Sequence, residues 1–162
     1  MFHLIPAPLH RQALRLAHAV RLRWWRVRRP KLAGCRVLAL DGDGRVLLVR
    51  HSYGSGSWML PGGGLASGED PLAAAGRELA EETGCRLIAA REIALAQEYL
   101  QGAKNHVHVI AGTTTDQPVP DGREIIAAAF HPADALPAPM ARGLSEALPG
   151  WITATTTADR AD

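Results

Sequence analysis

The sequence predicts a mixed α/β domain. Short runs of β-branched and aliphatic residues are separated by glycine-containing turns, a well-capped amphipathic helix interrupts them, and 162 residues suit a single core. Hydrophobic residues make up 47% of the chain and charged residues 21%, an ordinary balance for a globular protein. No apolar run approaches the ~18 residues that a membrane helix needs. Residues 1–10 hold a short apolar stretch broken by Pro6 and Pro8, with no basic region ahead of it, so a secretory signal is not expected. Cys35 and Cys85 lie in apolar patterns, far from any Cys or His at ligand spacing. They read as buried free thiols, which favours a reducing cytoplasm.

The net charge of +2 hides an asymmetry: residues 1–33 carry eight of the 18 Lys and Arg and none of the 16 Asp and Glu. Within this leader Leu16, Val20, Trp24 and Val27 recur at helical spacing, surrounded by Arg15, Arg21, Arg23, Arg26 and Arg28. A basic N-terminal helix is expected, ended by Pro30, with Ala33 and Gly34 as the hinge into the domain. Two readings of it stay open. It packs on its own domain or across a homodimer, or residues 11–31 meet an anionic membrane or a nucleic acid; the first is favoured, because basic amphipathy alone is not specific. The division expected is a leader at 1–33, a domain at 34–150 and a frayed tail at 151–162, whose Thr and Ala lack periodicity.

The domain opens with β-rich runs at 35–40 and 45–50, joined by the Asp-Gly-Asp-Gly turn at 41–44, the pattern of a hairpin. After a loop at 51–56, residues 57–60 lead into Pro61, Gly62, Gly63 and Gly64, which exclude regular helix or strand. Asp70 can cap, and Pro71 can occupy the first turn of, a helix running to Gly84, where glycine stops it. Residues 86–100, 105–113 and 124–130 have strand character, and 140–148 read as a short closing helix.

On the capped helix Glu78, Glu81 and Glu82 lie at i, i+3 and i+4, so their carboxylates share one face and repel. A hard divalent cation relieves that repulsion, because carboxylate oxygens are its natural ligands. The plainer alternative is a solvated acidic face in which Arg77 pairs with Glu81. Context decides between them. Gly63, five residues, Glu69, seven residues, then Arg77, Glu78, Leu79, Ala80, Glu81, Glu82, Thr83, Gly84 and Cys85 resemble the box of the Nudix (MutT-like) hydrolase family at every fixed position. Only Cys85 departs, standing where an aliphatic residue is usual. The likeness extends to the strand ending at Arg50, the entry at 58–64 and the segment 130–137, and it leaves the leader outside.

The resemblance implies an α/β/α sandwich with a mixed central sheet, to which the basic N-terminal helix is added. It implies Mg2+, with Mn2+ as a substitute, and hydrolysis of a diphosphate linkage in a nucleoside diphosphate derivative by water attack on phosphorus. Glu78, Glu81, Glu82 and a backbone carbonyl at Gly62 or Gly63 would hold the metal, with Arg77 orienting Glu78. Glu78 or an acid from another loop would take the proton; Glu124 is the candidate there and Asp121 the second. Glu69, at the helix N-terminus, suits dipole stabilisation. Arg50, Tyr53 and Trp58 are candidate substrate contacts, with Tyr99, His51, His106 and His108 behind them. The rival readings are an idle Nudix domain that binds a nucleotide or a protein, and a membrane- or nucleic-acid-associated protein acting through its leader.

Overall fold

The computed structural model describes residues 12–14, 16–17, 32–100 and 103–158. Residues 12–14 and 16–17 are helical, and the rest of the expected leader helix lies outside the described residues. Six strands follow: β1 (Leu32–Leu40), β2 (Val46–His51), β3 (Trp58–Met59), β4 (Ile88–Leu100), β5 (Ala103–Thr113) and β6 (Ile125–His131). Two helices accompany them, α1 (Pro71–Thr83) and α2 (Leu144–Ala158). The sheet order is β3-β2-β1-β5-β4, with β6 on β2. β1 and β5 run parallel, from Leu32 opposite Asn105 to Leu40 opposite Thr113, and the other pairs are antiparallel. The sheet is therefore mixed, as expected.

Alternation along the strands divides the core between two faces. Cys35, Val37, Ala39, Leu47 and Ile110 meet Ala74, Ala75 and Leu79 of α1 on one face. Leu38, Leu40, Val46, Leu48 and Leu60 meet Leu144 and Leu148 of α2 on the other. The result is an α/β/α sandwich. Cys35 and Cys85 are buried free thiols, as their apolar patterns predicted.

Three expectations are corrected. Ala33 and Gly34 are no hinge: both lie inside β1, opposite His106 and Val107, because β5 offers a partner that local sequence cannot reveal. The 35–40 and 45–50 runs adjoin at a tight turn, in which Asp41 Oδ1 accepts the amides of Asp43 (3.0 Å) and Arg45 (2.9 Å). Their sheet register, however, holds only Leu40 opposite Val46. The two strands then splay, and residues 58–65 fill the gap. β3 pairs with β2, after which the Val37 amide donates to Pro61 (2.8 Å), the Cys35 amide to Gly63 (2.9 Å) and the Leu65 amide to Ala33 (3.0 Å).

The third correction concerns the tail. α2 begins at Leu144 and continues through Pro149 to Ala158, so residues 151–158 are helical rather than frayed. Tertiary contacts override the weak helix propensity of threonine here. Trp151 and Ile152 pack on the second core, Thr155 is buried, and the Arg91 guanidinium donates to the Thr155 carbonyl.

Candidate active site

The glycine stretch is stitched to β1 at the mouth of the splay. Gly62 has φ 144°, and a Cβ there would overlap the Cys35 carbonyl oxygen, so only glycine fits. A Cβ on Gly63 would lie 2.5 Å from Glu78 Oε1. The missing side chain lets the backbone reach that carboxylate.

The helix carrying Glu78 is held at both ends as its sequence predicts. Asp70 accepts the Ala73 amide (3.0 Å), Pro71 occupies the first turn, and Gly84 at φ 73° returns its amide to Ala80 (2.9 Å). Glu69 acts as a clamp rather than only as a charge at the helix terminus. Its two carboxylate oxygens accept Arg77 Nε (2.9 Å) and Nη2 (3.1 Å), and Oε2 also takes the Ala66 amide (2.8 Å). The Arg77 guanidinium holds the Glu69 carboxyl below the usual carboxylate range. Arg77 Nη1 donates to Glu78 Oε1 (2.8 Å) and approaches Glu81 at 3.5 Å.

Glu82 is 7% exposed and accepts the Gly62 amide at 3.1 Å. Burial pushes its carboxyl up to about 8, and the charges of Glu78 and Glu124 push the same way, against that hydrogen bond and Arg36. His51 Nε2 stands 3.8 Å from Glu82 Oε1. Glu124 enters from the β6 side, where it accepts the Tyr53 hydroxyl at 2.5 Å. Asp121 is a loop cap: Oδ1 takes the amides of Arg123 and Ile125 (2.9 Å each), and Oδ2 approaches that of Glu124 (3.4 Å). Of the two acids considered on this loop, Glu124 is the one with its carboxylate turned away from the loop backbone.

Of the expected substrate contacts, Tyr53 reaches Glu124, while the Arg50 guanidinium lies 5.7 Å from the Trp58 ring centre. Trp58 meets His131 edge-on at 5.0 Å and packs on the α2-side core, away from α1. His108 Nδ1 pairs with Glu92 (3.0 Å) across β4 and β5, and His106 is half-buried on β5. The side chain of Tyr99 lies outside the described residues. Two participants had no sequence signal of their own, the Gly62 amide as donor to Glu82 and the Arg36 charge that favours its ionisation.

Among the described residues no three His, Cys, Asp or Glu side chains converge on one point. Glu81 is turned outward to Arg77, and Glu78 is drawn to the same guanidinium. The chemistry of the donors nevertheless fits a hard cation: a buried carboxylate crowded by neighbouring acids, with the Glu78 carboxylate close against the Gly63 backbone.

A family model described as the NUDIX domain matches residues 30–150. The chain belongs to the Nudix family. It is 40% identical over 65 residues to an RNA pyrophosphohydrolase of Roseobacter denitrificans, covering 40% of this chain and 41% of that protein. It is 31% identical over 83 residues to the human diphosphoinositol polyphosphate phosphohydrolase 2, covering 51% and 46%. The chain thus spans less than half the length of these curated Nudix relatives. Among solved structures, a MutT NUDIX hydrolase from Burkholderia pseudomallei superposes with a TM-score of 0.66 at 26% identity, covering 74% of this chain and 97% of that one. A UDP-X diphosphatase shares the Nudix fold with a TM-score of 0.65 at 24% identity, covering 79% and 64%.

Proposed function

We propose that this Nudix domain hydrolyses the diphosphate linkage of a nucleoside diphosphate derivative, with water attacking phosphorus and Mg2+, or Mn2+ in its place, as the required ion. The observation that carries the reading is Glu82, a buried carboxylate under the glycine loop on which the charges of Glu78 and Glu124 both bear. Family membership supports it, as do relatives whose names join hydrolysis to a pyrophosphate or a polyphosphate, although those names differ in the carrier.

In this reading Glu78, Glu81, Glu82 and the Gly63 carbonyl would hold the ion, with Glu81 turning in from Arg77. The Gly63 carbonyl accepts the Cys35 amide and keeps a second lone pair. When bound, such an ion would supply charge neutralisation at the diphosphate and a lowered pKa for a water. Arg77, itself clamped by Glu69, fixes Glu78 beside the loop. Glu124 accepts the proton from the attacking water, with Glu78 as the other acid able to do so. The buried thiols Cys35 and Cys85 suit a reducing cytoplasm.

A screen of oxidised nucleotides, dinucleoside polyphosphates, nucleotide sugars, ADP-ribose and capped RNA, with products read by mass, tests the reading. Turnover is expected with added Mg2+ or Mn2+ and is expected to stop in excess chelator. Full turnover in chelator would overturn the metal assignment, and inertness toward every diphosphate would leave a domain that only binds.

A further inference from the structure

Glu124 is held at two levels by consecutive residues of the loop that follows β2. The Ser52 amide donates to the Glu124 carbonyl at 2.8 Å, and the Tyr53 hydroxyl donates to Glu124 Oε1 at 2.5 Å. The strands are adjusted to allow this. β2 and β6 run in register as far as Arg50 opposite Ala127, then slip so that His51 faces Ile125. The slip brings the end of β2 alongside residue 124. On the other side Asp121 gathers the amides of Arg123, Glu124 and Ile125, which sets the loop without using the Glu124 carboxylate.

The Tyr53 ring also lies against His51, with centroids 5.1 Å apart and planes at 48°, and His51 Nε2 is 3.8 Å from Glu82. The two rings therefore occupy the space between the buried carboxylate of α1 and the carboxylate of the β6 loop. A phenol donating to a carboxylate forms a short, charge-assisted bond that fixes one rotamer of an otherwise mobile side chain.

We infer that Tyr53 is a positioning residue for Glu124: its hydroxyl holds Oε1 and so fixes the carboxylate in the one orientation in which it acts in the reaction. This rests on the proposed hydrolysis. It differs from the expectation that Tyr53 contacts the substrate, because the hydroxyl is turned to Glu124. Holding the acid in one orientation is pre-organisation, so its loss should appear in turnover and not in substrate affinity.

The test compares Tyr53→Phe, Glu124→Gln and the double variant on a diphosphate that the wild-type chain turns over. Tyr53→Phe keeps the ring and should lower kcat about ten- to a hundredfold, the scale of a hydrogen bond to a charged group, with KM within about threefold. In the Glu124→Gln background the same change should cost almost nothing further.

A second measurement needs neither metal nor turnover. The NMR signal of the Tyr53 ring carbon bearing the hydroxyl should move in metal-free Glu124→Gln. An unmoved carbon signal would overturn the inference, as would wild-type kcat in Tyr53→Phe or an equal loss in both backgrounds. A raised KM at unchanged kcat would make Tyr53 a substrate contact instead. Should the wild-type chain hydrolyse no diphosphate, the functional reading falls, and the carbon signal still decides whether Tyr53 holds Glu124.

Discussion

The two helices cover opposite faces of one sheet and are built on opposite principles. α1 is short and locally determined, capped by Asp70 and stopped by Gly84, and it reaches the core through the small residues Ala74 and Ala75 with Leu79. That slender apolar strip leaves room for Glu78 and Glu82 to turn back toward the glycine loop. α2 has the weaker local signals, running through Pro149 and a threonine-rich stretch, and it buries Leu148 while packing Trp151 and Ile152. The contrast teaches that one face of this sheet is arranged around acids and the other around packing. Function and stability can therefore be perturbed separately.

The largest effect should come from the packing face. Leu148 is fully buried, so Leu148→Ala should destabilise the fold by about 2–5 kcal/mol in denaturant titrations while the folded fraction keeps its kcat. Leu79→Ala, next in sequence to Glu78, should cost similar stability and also depress kcat. Equal kinetic damage from the two would erase the proposed separation.

Next in size, and on the other face, Glu82→Gln should lower kcat by at least about a hundredfold, roughly 2.7 kcal/mol, without loss of metal-free stability. Near-normal turnover in steady-state assays would remove Glu82 from the site. A large drop in apo stability would instead make it a structural partner.

The smallest effect sharpens the comparison through pH. The Glu82 carboxyl is pushed up to about 8 in the folded chain, from an ordinary 4.5. Between those values the unfolded chain has released the proton and the folded chain keeps it. The contribution of this group to metal-free stability is then present in full below about 4.5, declines as pH rises and is lost above about 8. Glu82→Gln should flatten this part of the pH profile in thermal melts. An unchanged slope in that variant would show that another group is responsible.

The box was legible because its signals are local. A helix places residues three and four apart on one face whatever surrounds it, and a cap, a first-turn proline and a terminal glycine act within a turn of the backbone they satisfy. The acids of α1, its boundaries and the need for glycine beside it could all be read from residues 63–85. Strand character was legible in the same way, from alternation, and so was the burial of both cysteines.

Partnership was not. That Ala33 and Gly34 belong to a strand depends on β5, more than 70 positions away, and that residues 151–158 continue a helix depends on a sheet face waiting to be covered. The Tyr53 to Glu124 bond joins residues 71 positions apart, and nothing in the neighbourhood of either announces the other. By itself the sequence determined which side chains a single helix presents together, because helical geometry is a property of the backbone. Only the tertiary structure decided which carboxylate is buried, which is clamped by arginine and which acid of the β6 loop turns toward the site. Burial and long-range hydrogen bonds arise from how separate elements meet, and that meeting has no period along the chain.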